Sequence, residues 1–277
     1  PAADQAGGGG EPMVCDLTSL ASVRTFASEL QQRAPLLDVL CLNAGIAPST
    51  KATAPRLTVD GFEECIATNH LGHFLLANLM APHLSACGGA GRLVVTASSV
   101  HDPAQPGGAV GGKGGATLGD LSGLARVVSG GPTMVDGALQ YDGSKVYKDS
   151  KLCNVLFCRE ARRRFTALQI RSFNPGFIPA SGLFRAPRAD NWLGATAFTF
   201  IAGVAGFAVP IDVGGARLSY VATDDMLPNG SYLSAQSKSK AATFADGFSD
   251  GVISAEGLDD LLAAALWEQS LALVGAA

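Results

Sequence analysis

Two short apolar runs constrain this chain more than anything else in it. Leu36 to Leu42 and Arg92 to Ala97 are close to continuously apolar and of strand length. A strand with one wet face alternates apolar and polar residues. These do not alternate, so both of their faces need cover, as in parallel strands sandwiched between helices. Each run ends in small polar or turn residues, Asn43-Ala44-Gly45 and Ser98-Ser99. A third strand, Leu168 to Phe173, ends the same way in Asn174-Pro175-Gly176.

Helical patterns fill the intervals. Met13-Val14-Cys15, leading into Asp16-Leu17, reads as the end of a further strand. Thr18 or Ser19 then caps a helix carrying Leu20, Val23, Phe26 and Leu30. A long helix is expected over Thr58 to Leu84, beginning near Asp60. Others are expected around Tyr147 through Arg164, over Val213 to Thr223, and over Glu256 to Val274, with a short strand at Ser231 to Leu233. Strand and helix alternate without repeats, so the expected fold class is α/β, one doubly wound parallel sheet over residues 1–277. Residues 100–146 form a Gly-rich insertion without periodicity, and such insertions are functional or disordered. Residues 185–212 form an apolar lid or substrate segment. Within it, Trp192 to Ile211 carries no charge and is long enough for a membrane span. Its Ala and Gly content and Pro210 favour the lid, with a membrane-surface contact as the competing expectation.

Composition removes whole classes of function. At 277 residues with 16% charged residues and a net charge of −4, the chain is neither disordered nor built for polyanions. Its six cysteines lack metal-type or C-x-x-C spacing, which argues against a metal site or disulfide scaffold and for a reducing compartment. No signal or transit peptide precedes the first helix, and the chain reads as beginning in mid-domain at Pro1.

The chemistry concentrates in Tyr147-Lys148-Asp149-Ser150-Lys151. Residues four apart on a helix face the same way, one turn apart. A free phenol, with a pKa of about 10, is a poor acid or base near neutrality. A cation held beside Tyr147 favours its phenolate, so Lys151 is expected to tune it and to reach for a hydroxyl of a bound nucleotide. In isolation such a pair is an ordinary solvated turn. Asp16 alone is a cap, and Asn43-Gly45 or Pro175-Gly176 alone is a loop. What argues for a site is that all fall at strand ends, where ligands sit in doubly wound sheets.

With Asp16-Leu17, Asn43-Ala44-Gly45, Asn69, Ser98, Tyr147, Lys151 and Pro175-Gly176 in this order, nearly the whole chain resembles the short-chain dehydrogenase/reductase family. The resemblance implies a catalytic tetrad of Asn69, Ser98, Tyr147 and Lys151. Six positions on from Arg92 favours Ser98 over Ser99. It further implies that Asp16 and Leu17 meet the adenine, Asn43, Ala44 and Gly45 line the cofactor cleft, Lys151 binds the nicotinamide ribose, and Pro175-Gly176 passes the nicotinamide. His70 and His73 are expected to pack rather than bind metal. Thr68 to Phe74 and Ser150 to Leu156 also suit retinol-dehydrogenase-like reductases. Leu118 to Leu124, Met134 to Gly137, Tyr141 to Asn154 and Ser181 to Arg185 are more similar to the light-dependent protochlorophyllide oxidoreductases. That narrower resemblance implies NADPH as cofactor and protochlorophyllide as substrate, in a plastid. Met134, Tyr141 and Phe177 would lie at the pigment.

Two departures accompany it. Phe177 stands where that group usually has a cysteine, and Cys153 is no obvious substitute. The Gly-rich turn that cradles a pyrophosphate at a helix N-terminus is absent, since Gly7 to Gly10 precede no helix directly. Weak binding of NADPH by this chain is the expectation. A light-independent reductase of retinoid-like carbonyls and a catalytically impaired pigment scaffold are the alternatives.

Overall fold

The computed structural model describes residues 10–85, 91–109, 115–184, 206–236 and 238–275. Five strands lie side by side in chain order: β1 (Val39–Leu42), β2 (Arg92–Thr96), β3 (Gln169–Phe173), β4 (Tyr232–Ala235) and β5 (Phe248–Asp250). The first four are mutually parallel and β5 returns antiparallel to β4. The expected α/β class with a mainly parallel sheet is what the chain forms.

Alternation along the central strands feeds two cores. Leu93, Val95 and Ile170 point into the larger one, beneath the helices α1 (Leu20–Arg33), α3 (Gly72–Ser85), α5 (Gly143–Arg164) and α7 (Asp260–Val274). Val94 and Phe173 point the other way, into a smaller core with Val221 of α6 (Ile211–Thr223), Leu233 and Phe248. Trp267 of α7 closes the larger core. It stacks on Phe157 at 5.8 Å and meets Phe74 edge-on at 4.9 Å, geometries that aromatic quadrupoles favour.

Several boundaries differ from expectation for identifiable reasons. Met13–Cys15 pairs with no strand among the described residues, and Val14 is 87% exposed. Of the two expected caps for α1, Ser19 is the one used, accepting the Ser22 N–H, as expected. The helix expected from Asp60 starts instead at α2 (Glu64–Ile66), because Gly61 takes φ +82 and Glu63 caps Ile66. Asp60 caps a different helix, accepting the Leu20 N–H at 2.9 Å. A π turn, Ala67–Leu71, then separates α2 from α3. The antiparallel β5 was not expected.

The insertion is built into the body. Its described part holds a 3₁₀ turn (Ser99–His101), the short α4 (Pro106–Ala109) and a series of turns. From it Leu118, Leu121, Leu124, Met134, Val135 and Tyr141 are buried in the larger core. Lys145 clamps it to α5, holding Asp149 at 2.6 Å, Asp136 at 3.1 Å and the Thr117 carbonyl at 3.0 Å. Of the apolar segment, residues 185–205 lie outside the described residues. No described helix is long and apolar enough to cross a membrane.

Candidate active site

The strand-end residues and α5 meet at the carboxyl ends of β1, β2 and β3. Asp142 caps α5 by accepting the Ser144 and Lys145 N–H groups, which sets the helix that carries Tyr147 and Lys151. Lys151 is buried, with Nζ 5.7 Å from the Tyr147 ring centre, and it donates to the Thr96 carbonyl at 3.1 Å. Asn154, on the same face, donates to that carbonyl at 3.2 Å. The Thr96 hydroxyl donates to Asn43 Oδ1 at 2.8 Å. One residue at the end of β2 therefore ties the helix to the turn after β1.

Asn69 sits on the π turn, a local widening that recurs at functional sites. Its side chain accepts the Ile46 N–H and donates to the Ile46 carbonyl, both at 2.9 Å. It also donates to Ser150 Oγ at 2.9 Å, and Ser150 donates onward to the Tyr147 carbonyl at 2.7 Å. Gly45 runs directly over this group. A Cβ there would stand 3.1 Å from Asn69 Oδ1 and 3.7 Å from Lys151 Nζ, so glycine keeps the space above the lysine clear.

Ser98 follows β2, partly exposed, and its Oγ accepts the Val100 N–H. At the third strand end, Gly176 takes φ +86 and donates to Asn174 Oδ1. The wholly buried Arg217 of α6 grips that turn, donating to the Pro175 carbonyl at 2.8 Å and to the Ala241 and Ser239 carbonyls at 2.7 and 3.0 Å.

Electrostatics correct one expectation. Burial pushes the Tyr147 phenol above its ordinary range, with Cys65 acting in the same direction. Burial also brings Lys151 down to about 8, partly opposed by Cys65. Tyr147, partly buried, is thus held as the neutral phenol. His70 and His73 are buried and neutral, lowered by burial to about 3 and about 4. His70 bonds Ser270 and His73 bonds the Asn69 carbonyl.

Of the residues expected at the site, Asn43 and Lys151 are joined through Thr96, Asn69 reaches the Tyr147 carbonyl through Ser150 in a second bonded group, and Gly45 lies against both. Ala44 is exposed beside them. Asp16 and Leu17 lie outside both groups: Asp16 is exposed and holds the Thr18 N–H and hydroxyl, while Leu17 presents its carbonyl to Gly72. Phe177 is half-buried, its carbonyl taking the Val209 N–H at 2.7 Å. Met134 and Tyr141, expected to line a pigment pocket, are instead core residues. Tyr141 donates to Glu63 at 2.8 Å, and Met134 sulfur accepts the Asp142 N–H. Ser150, Asn154, Thr96 and Arg217 were not anticipated. The first two stand beside Lys151 and one turn on from its neighbour, which was the available signal. Nothing in the sequence marks Arg217.

A family profile described as short chain dehydrogenase matches residues 3–111. The chain is 38% identical over 266 residues to the chloroplastic protochlorophyllide reductase of Chlamydomonas reinhardtii, covering 94% of this chain and 64% of that protein. It is 43% identical over 190 residues to protochlorophyllide reductase A of Oryza sativa subsp. japonica, covering 66% of this chain and 48% of the relative. The chain belongs to the short-chain dehydrogenase/reductase family. It spans from about half to under two thirds of the length of these relatives. Among solved structures, an uncharacterized protein from Mycobacterium Paratuberculosis superposes with a TM-score of 0.60 at 30% identity, covering 94% of this chain and 74% of that one. A gluconate 5-dehydrogenase from Burkholderia cenocepacia, in complex with NADP and tartrate, has a TM-score of 0.51 at 20% identity. It covers 79% of this chain and 71% of that one, and it speaks to the fold alone.

Proposed function

We propose that this protein carries out the NADPH-dependent, light-driven reduction of the ring D double bond of protochlorophyllide, in a plastid. The observation that carries the reading is the Tyr147–Lys151 pair on one face of α5, with Lys151 bonded to the Thr96 carbonyl at the carboxyl end of β2. The names of the relatives supply the substrate and the compartment.

The residues present suit the nicotinamide end of the cofactor. Gly45 leaves a cradle that a Cβ would fill, directly over Lys151 and Asn69. In this reading Lys151 holds the ribose, Asn43, Ala44 and Gly45 line the cleft, Pro175-Gly176 flanks the nicotinamide, and Asp16 with Leu17 faces the adenine. NADPH, when bound, supplies the hydride to one carbon of the excited double bond. Tyr147 donates its phenolic proton to the neighbouring carbon. Ser98 orients the pigment, and Phe177 offers its ring to it. Asn69 fixes Ser150 and Ile46, and so the helix turn that aims Tyr147. Light provides the activation, so orientation, proton delivery and exclusion of water are what the protein contributes.

Illumination of the protein with NADPH and protochlorophyllide tests this. The pigment absorbance should shift in light and remain unchanged in the dark. No shift in light at saturating NADPH would sink the reading.

A further inference from the structure

We propose that His101 is a positioning residue for Ser98, fixing its peptide and coupling it to the segment around Ser254. The inference rests on the role given above to Ser98.

His101 is fully buried, three residues after Ser98. Its Nδ1 lies 2.6 Å from the Ser98 carbonyl oxygen, and its Nε2 lies 3.3 Å from the Ser254 backbone nitrogen. A carbonyl oxygen accepts only, and an amide N–H donates only. One placement of hydrogen satisfies both contacts: a proton on Nδ1 and a lone pair on Nε2. The partners thus fix a neutral ring in one tautomer. The backbone N–H of His101 donates to the same Ser98 carbonyl at 3.2 Å, so that oxygen is held twice. Tyr232 fixes the plane of the ring, edge-on at 5.3 Å and 88°.

The far side of the ring is equally well anchored. Ser254 Oγ accepts the Gly257 N–H, and Glu256 accepts the Leu118 N–H at 2.6 Å. A bonded path therefore runs from the Ser98 peptide through His101 to the chain near the closing helix and on to the insertion. A serine just past a strand end has backbone and rotamer freedom to lose. A displacement of ~1 Å at a reacting group can cost ~100-fold in rate. His101 removes that freedom without itself touching the reacting atoms.

The test is a double-mutant cycle in the light assay at saturating NADPH. H101F keeps a ring against Tyr232 and deletes both nitrogens. It should lower kcat about tenfold, with KM values for cofactor and pigment within about twofold. H101N, whose amide N–H mimics Nδ1, should recover most of that loss. In an S98A background, H101F should change kcat by less than about twofold, because the residue acts through Ser98. Multiplying losses in S98A, no loss of kcat in folded H101F, or kcat and KM moving together would each overturn the proposal. If H101F does not fold, H101N and H101Q are compared in both backgrounds. The Asn variant should be the more active, and equal activity overturns the proposal. Nitrogen NMR of the wild type provides a reading without turnover: a neutral ring with its proton on Nδ1 is expected, and Nε2–H or a charged ring refutes it. A wild type inactive in light, yet showing this tautomer, indicts the functional reading instead.

Discussion

Lys151 and Asn154 share one acceptor, the carbonyl oxygen of Thr96, at 3.1 and 3.2 Å. α5 is thereby pinned to the end of β2 by side chains rather than by backbone contact. The ammonium is held in place and largely desolvated before any ligand arrives. Its position and its acidity have the same cause.

The first prediction follows from that acidity. Burial brings Lys151 down from 10.5 to about 8. In the proposed reading the charged form binds a ribose hydroxyl and assists Tyr147, so kcat/KM in light should be flat below pH 8. Above it the value should fall by about tenfold per pH unit. Stability runs the other way. Between about 8 and 10.5 the unfolded chain holds a proton that the folded chain has lost, so this group's contribution to stability rises with pH there. A pH–rate profile and urea midpoints across the same range check both directions.

Tyr147→Phe removes the proton that burial keeps on the phenol. Light-driven turnover should drop by about 100-fold or more, while pigment still binds, read as a spectral shift of the bound pigment. Undiminished turnover would assign proton delivery elsewhere.

Asp149 anchors Lys145 beside the Tyr147–Lys151 pair. It takes Lys145 at 2.6 Å and the Thr117 N–H at 3.1 Å, with its side chain 0% exposed. Burial alone would lower Lys145, but Asp149 and Asp136 more than offset this and hold it up. Burial raises Asp149 itself to about 7 although Lys145 opposes this, so Asp149→Asn, which leaves a buried cation short of a partner, should cost about 3 kcal/mol by urea denaturation above that pH and less below it. Asp136→Asn, at a partly exposed site, should cost less.

Gly176→Ala should destabilise by about 2 kcal/mol. The added Cβ would meet Val209 at 2.7 Å and Arg217 at 2.9 Å, on a backbone with φ +86. An unchanged urea midpoint would mean that Arg217 can yield, contrary to its three carbonyl contacts.

What the sequence made legible, and what it hid, divides along physical lines. β1 and β2 were readable because burial on both faces forces apolar continuity. Tyr147 and Lys151 were readable because helical spacing alone places them together. Met13–Cys15 misled because a strand is defined by its partner, and apolar character does not reveal whether one is present. Asp60 misled in a similar way. It is a capping residue, but for Leu20, forty residues earlier, so its local signal was right and its target was not. Met134 and Tyr141 were expected at the pigment only because the family resemblance implied it. Their burial depends on Glu63 and Asp142, contacts that no local pattern encodes. Arg217 was invisible because an arginine on a helix ordinarily faces water.

Arg217 joins two segments more than sixty positions apart, the turn at Pro175-Gly176 and the stretch at Ser239–Ala241. Fastened to one guanidinium, they share a single opening event. The Gly176 amide, bonded to Asn174, and the Ala241 amide, bonded to Ser239, should therefore exchange hydrogen with solvent at one common rate. Whatever loosens one side of this clamp exposes the other.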